Sequence, residues 1–283
     1  MKKLYIKYDA EMRLEHAVEG LHMYIPTEKG YIDHTLSHTV WDDANADIWR
    51  LSLAYMCEED LSNPVAITIG GEWDMALRLA DRPDFIGGHA HGDEKFTEIK
   101  FIVDGVEREI REFTEATAID SLEIIEDSLG YDPLDSTTLA LEHHKEYTVS
   151  VEGIRIDQQV RWMGDFPLNY CYMAMMPPAK AYTDSFYTDL TEPCEIDLSK
   201  RPAVEGATSV TVYGKESGLY FTMTVNEYTV FGKGKMCIRD NAGGAYNKMY
   251  FDFTSGGEVK KGDVWETFTH YKIDKKNGSY QNN

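Results

Sequence analysis

The chain has 283 residues, and its 28 Lys and Arg against 49 Asp and Glu give a formal net charge of −21. A field of that sign argues against nucleic-acid partners and anionic membranes, and disfavours polyanionic substrates unless a local basic pocket overrides it. Apolar residues are 42% and charged residues 27%, the balance of a globular chain with a sizeable core rather than a disordered one.

The opening "MKKLYIKYDAEMRLEHAVEG" has basic residues with no apolar run behind them, so it is not read as a signal peptide. That leaves a cytoplasm, a virion, or export with the signal already removed. No segment is long and apolar enough to insert in a membrane. Cys57, Cys171, Cys194 and Cys237 lack C-x-x-C spacing and read as free thiols.

In chain order, "YIDHTLSHTVW" places His34 and His38 four apart among Thr, Ser and Val, which favours strand or loop over a ligand pair. "NPVAITIGGEW" alternates with period 2, as a strand does. "GEWDMALRLADRPDF" offers Trp73, which either stacks on a sugar ring or packs in the core. "PDFIGGHAHGDE" follows. In an extended chain His89 and His91 share a face, with glycines on both sides and Glu94 close behind. Three readings stand: a site for a divalent metal on His89, His91 and Glu94, a proton-transfer site, or a turn whose imidazoles cap backbone groups. His91 is the leading residue, with Asp93 or Glu94 expected to orient its ring and raise its pKa.

"TEIKFIVDGVEREIREF" predicts a hairpin with its tip at Asp104-Gly105. "ATAIDSLEIIEDSL" places Ile119, Leu122, Ile125 and Leu129 at helix-like spacing and fits an irregular strand equally. "LALEHHKEYTVSVEGIRIDQQVRW" predicts a second hairpin turning at Glu152-Gly153. His143 then faces with Lys145, His144 with Glu142 and Glu146, and Arg161 with Gln159. Arg161 with Tyr170 or Tyr172 would suit a sugar carboxylate. Residues 177–207 read as a long loop. "LYFTMTVNEYTVFGKGKMCIRD" and "YNKMYFDFTSGGEVKKGDVWETFTHYKID" read as further hairpins. The sum is an all-β chain of antiparallel sheets packed face to face, one domain over 1–283 with 1–64 as a candidate N-terminal extension.

The order of "GGHAHGDEKFTEIKFIVDG", "LALEHHKEYTVSVEGIRIDQQVRW", "NYCYMAMMPP" and "KKGDVWETFTHYKI" resembles the galactose-mutarotase-like super-sandwich. Aldose epimerases share that fold with sandwich domains of polysaccharide lyases and glycoside hydrolases. His91-Gly92 is similar to an epimerase His-Gly-Gly, with Asp93 in place of the second glycine. The resemblance implies a protein acting on polysaccharide or oligosaccharide, foremost a lyase cleaving a uronate-containing glycan by β-elimination. His91 or His89 would be the base, Tyr170 or Tyr172 the acid, and Arg161, Trp73 and His144 substrate contacts. The alternative is a non-catalytic carbohydrate-binding or structural module, such as part of a phage tail or cell-surface assembly. No cofactor is required outright, the divalent metal being the one candidate.

Overall fold

A computed structural model describes residues 2–71, 73–87, 91–197, 199, 202–228, 234–241 and 244–276. The first strands are β1 (Leu4–Asp9), β2 (Ala17–Pro26), β3 (Tyr31–Trp41), β4 (Ala46–Cys57), β5 (Val65–Ala66), β6 (Ala76–Leu79) and β7 (Glu94–Val103). Then come β8 (Val106–Glu107), β9 (Thr117–Ile119), β10 (Leu122–Asp132), β11 (Asp135–Ser150), β12 (Gly153–Trp162), β13 (Phe166–Met176), β14 (Ser185–Thr188) and β15 (Thr191–Glu195). The last are β16 (Ala203–Glu205), β17 (Ser209–Tyr213), β18 (Leu219–Tyr228), β19 (Lys235–Asn241), β20 (Tyr246–Ser255), β21 (Glu258–Val259) and β22 (Val264–Lys275). Among the described residues helical structure is confined to short 3-10 turns, as at Asp42–Ala44 and Ile110–Glu112.

These strands form a large antiparallel β-sandwich. The larger sheet runs β15-β14-β17-β18-β22-β12-β11-β10-β7-β4-β3-β2-β1-β9, with β5 and β8 as side branches. The smaller runs β16-β19-β20-β13-β21, with β6 beside β13. Among the described residues the one parallel contact is the Asp47–Lys95 pair joining β4 to β7. The inner faces meet across a contiguous core that reaches from Leu4 and Ile6 to Trp265 and Ile273, with Trp162, Phe221, Met173 and Phe251 among its fully buried side chains. The alternation read from the sequence sets which side each residue takes. In β12, Ile154, Ile156, Val160 and Trp162 point inward while Arg155, Gln159 and Arg161 point out.

Asp104-Gly105 is a hairpin tip. Val103 pairs with Val106, and both turn residues have positive φ, 52° and 77°. Two other expectations are corrected, and one reading left open between helix and irregular strand is decided. The second hairpin turns at Val151-Glu152, because Ser150 pairs with Gly153, which already begins β12 at φ 130°. The segment around 117–132 is strand in both pieces, β9 and β10, and not helix. The stretch 177–207 is not one loop, since β14, β15 and β16 lie in it.

Candidate functional site

The inner face of the larger sheet carries a polar stripe where a sandwich of this size would ordinarily be apolar. Lys145 Nζ lies 2.8 Å from Glu126 Oε2 and 3.4 Å from Asp74 Oδ2, and none of the three is more than 4% exposed. Glu126 Oε1 also accepts the Trp49 amide at 3.2 Å, pinning the stripe to β4. At the next inward residue pair of β10 and β11, Glu94 Oε1 accepts from Ser128 Oγ at 2.6 Å and meets His143 Nδ1 at 2.9 Å. The strand parity that puts His143 inward puts His144 outward. Glu94, placed with His91 from the sequence, therefore belongs to this interior group.

The backbone leaves the interior at Glu94 and turns back through Gly92. A Cβ there would sit 2.0 Å from the Ala44 carbonyl oxygen, and φ is 92°, so glycine is required. His91 lies partly buried beside Phe85, ring centroids 4.6 Å apart. Asp84 Oδ1 lies 2.5 Å from His91 Nδ1 and orients the ring. That role was expected of Asp93 or Glu94, which point elsewhere: Asp93 engages Asn45 Nδ2 at 3.3 Å. The His91 pKa is lowered, not raised. Burial is the main cause, and Arg50 and Arg78 add to it against the pull of Asp84.

From Phe85 the rings continue along the outer face of the smaller sheet. Phe85 to Tyr172 is 6.3 Å with planes 25° apart, and Tyr172 to Tyr170 is 6.4 Å with planes 5° apart. Tyr172 also touches Tyr250 at 4.7 Å. Burial pushes the Tyr172 hydroxyl up to about 12, so it holds its proton near neutral pH. Cations gather here. The Arg78 guanidinium sits 5.3 Å over Phe85, Lys248 sits 4.8 Å over Tyr250, and the charge of Arg239 acts on Tyr172. Burial pushes the Lys248 amine down to about 7.

The structure thus brings His91, Tyr172 and Tyr170 onto one face and separates them from the other sequence candidates. Arg161 and His144 occupy the opposite outer face of the sandwich. There they line a groove of about 410 Å³ with Asp127, Glu142 and Gln159. His144 is held by Asp127 at 2.7 Å and Glu146 at 3.1 Å, and Arg161 Nε lies 3.7 Å from Glu142. The expectation that Arg161 works beside Tyr170 or Tyr172 is corrected, because the parity of β12 turns it away. Trp73 is fully buried, its Nε1 donating to the Ser52 carbonyl at 2.8 Å, so it packs in the core and offers no ring to a sugar. His89 lies outside the described residues. Among the described residues no three His, Cys, Asp or Glu side chains are arranged to hold a metal ion, and Glu94 turns away from His91. Sequence reading missed Asp84, Phe85 and Tyr250. The first two stood in "PDFIGG", where Asp next to an aromatic ahead of a glycine turn was the available signal.

No protein-family model matches the chain, and no curated protein matches it. Solved structures with similar arrangements include the galactosidase domain of an α-galactosidase–sucrose kinase, at TM-score 0.48 and 8% identity, covering 89% of this chain and 40% of that one. A galactose mutarotase-like protein from Clostridium acetobutylicum is similar at TM-score 0.47 and 9% identity, covering 98% and 100%. A putative aldose 1-epimerase from Escherichia coli K12 is similar at TM-score 0.39 and 9% identity, covering 89% and 98%. The chain spans about two fifths of the galactosidase chain it matches. These matches include the mutarotase-like and epimerase proteins that the sequence resembles. Scores this low concern the arrangement of strands and carry no argument about chemistry.

Proposed function

We propose that the protein binds an acidic carbohydrate across the face formed by His91, Phe85, Tyr172 and Tyr170. The observation that carries this reading is the run of near-parallel rings flanked by cations. Aromatic faces accept the apolar faces of sugar rings, and Arg78 and Arg239 favour a carboxylate on a chain whose net charge is otherwise −21.

The specific chemistry proposed is β-elimination. His91 stays neutral because its pKa is lowered, and the Asp84 contact to Nδ1 assigns the proton-accepting lone pair to Nε2. Tyr172 stays protonated. A uronate seated over Phe85 would have a base on one side and an acid on the other. His91 takes the proton next to the carboxylate, the C–O bond to the leaving sugar breaks as the C=C bond forms, and Tyr172 protonates the leaving oxygen. Arg78, and not Arg161, neutralises the carboxylate.

The test is calorimetric titration with galacturonate, glucuronate and mannuronate oligosaccharides beside neutral counterparts, with ultraviolet absorbance followed for an unsaturated product. Binding of a uronate that Phe85→Ala abolishes supports the face. Product formation supports the elimination, and binding without product leaves a recognition module. Equal or absent binding by the parent and Phe85→Ala overturns the reading.

A further inference from the structure

On the outer face of β1–β4, remote from the aromatic run, a cavity of about 470 Å³ is floored by Lys7, His22, Tyr24, Asp33, Thr35 and Tyr55. That volume suits a small ligand. These residues come together by register: Tyr24, Asp33 and Tyr55 stand opposite one another on β2, β3 and β4, and Lys7, His22 and Thr35 form the next row. Met12 and Leu14 form one wall, Leu61 and Pro64 another. The Met12 wall depends on Gly20, where a Cβ would lie 2.3 Å from Met12 Cε.

The site has two observations behind it. Asp33 is 3% exposed, and its Oδ2 meets His22 Nδ1 at 2.8 Å. Its other oxygen, Oδ1, is buried and accepts no hydrogen bond among the described residues. A buried acceptor without a donor is costly, which makes a donor from a ligand favourable there. Second, Tyr24 and Tyr55 stand on either side of Asp33 in the register of β2, β3 and β4, and burial raises the pKa of both, so their hydroxyls remain donors. The floor carries charge of both signs. His22 sits between Asp33 and Asp9, with its pKa raised by both carboxylates over the effect of burial, and Lys7 adds a further cation.

We infer that this cavity is a binding site for a small neutral polyol of monosaccharide size, seated by a ligand hydroxyl that donates to Asp33 Oδ1 while neighbouring ligand oxygens accept from Tyr24 and Tyr55. The inference is independent of the aromatic face. It concerns a neutral ligand, whereas that face is proposed for an anionic one.

Isothermal titration of the full chain with D-glucose, D-galactose and myo-inositol, and with D-galactosamine as a cationic counterpart, tests it. At least one neutral polyol is expected to bind with a stoichiometry of one. Asp33→Asn keeps an acceptor for His22 but turns an N–H donor toward the cavity, and should weaken binding about tenfold or more. Tyr55→Phe should weaken it several-fold, and it decides the matter if Asp33→Asn does not fold. Phe85→Ala should leave it unchanged. The inference is overturned if no neutral polyol binds, if only the amino sugar binds, if Tyr55→Phe and a folded Asp33→Asn both bind as the parent does, or if Phe85→Ala abolishes binding.

Discussion

Glu126 and Lys145 meet 2.8 Å apart with no side-chain exposure on either, on adjacent strands β10 and β11 where both point into the sandwich. Burial raises the Glu126 pKa to about 7 from an ordinary 4.5, although Lys145 opposes this. Lys145 stays charged, because Glu126, Asp74 and Glu94 outweigh the lowering effect of its own burial. Below pH 4.5 the Glu126 carboxyl is protonated in folded and unfolded chains alike, so its contribution to stability is whole. That contribution is lost as pH rises through about 7, where the folded protein must ionise a buried group. Glu126→Gln should flatten the denaturation free energy across this window. Lys145→Met should cost about 3–5 kcal/mol at neutral pH by leaving buried carboxylates uncompensated. Urea melts of the three proteins at several pH values check both.

Glu94 behaves in the opposite sense. Burial alone would raise its pKa, but the Lys145 charge and the bonds from His143 and Ser128 hold it down to about 2. Its contribution is present above the ordinary 4.5 and disappears as pH falls toward 2. Glu94→Gln should therefore narrow the gap between melting temperatures at neutral and acid pH. A variant that loses as much stability in acid as the parent would contradict the assignment.

At the hairpin tip, Gly105 has φ 77° and open space around it, so only its backbone conformation resists substitution. Gly105→Val should destabilise by about 1 kcal/mol or more, since a β-branched residue strains there. Asp104 contributes separately, its Oδ1 accepting the Asp120 and Ser121 amides at 2.7 and 2.9 Å. Overlapping thermal melts of Gly105→Val and parent would refute the turn assignment.

For the proposed reaction, His91→Ala should lower the elimination rate about a hundredfold or more while the melt changes little. The rate should rise with pH through a value below the ordinary histidine 6.5, because the base works when neutral. Asp84→Asn removes an influence that raises that pKa, so the acid limb should move to still lower pH. A limb that moves upward would exclude His91 as the base.

The alternation that makes the sheets was legible because most inward positions are apolar. It failed in β10, whose inward positions run Leu122, Ile124, Glu126 and Ser128. The last two break the apolar period, and the remaining apolar residues mimic a helix. The same polar stripe hid the interior cluster, since Glu94 read as a partner of His91 and Lys145 only as sharing a face with His143, and their partners come from distant segments. His144 and Arg161 were rightly read as facing away from His143 and Val160, by parity alone. Parity within one sheet says nothing about the other, so the sequence could not tell that the tyrosines lie across the sandwich from Arg161. The run 177–207 looked loose because its strands are short and in part exposed.

The place of β22 in the strand order governs how the chain can be made. This last strand lies between β18 and β12 and pairs with both along most of its length. A nascent chain that has reached residue 263 holds two open edges, one ready on each side of a gap. Each is a template for another chain's strand. Closing the gap joins segments more than a hundred residues apart, as in the Ile154–Tyr271 pair, and such non-local pairing is slow. The chain therefore remains vulnerable to sticking until β22 has left the ribosome and paired. A short peptide copying Val264–Lys275 would compete for that gap during refolding, and a chain cut before Val264 should aggregate however well β1 to β21 have formed.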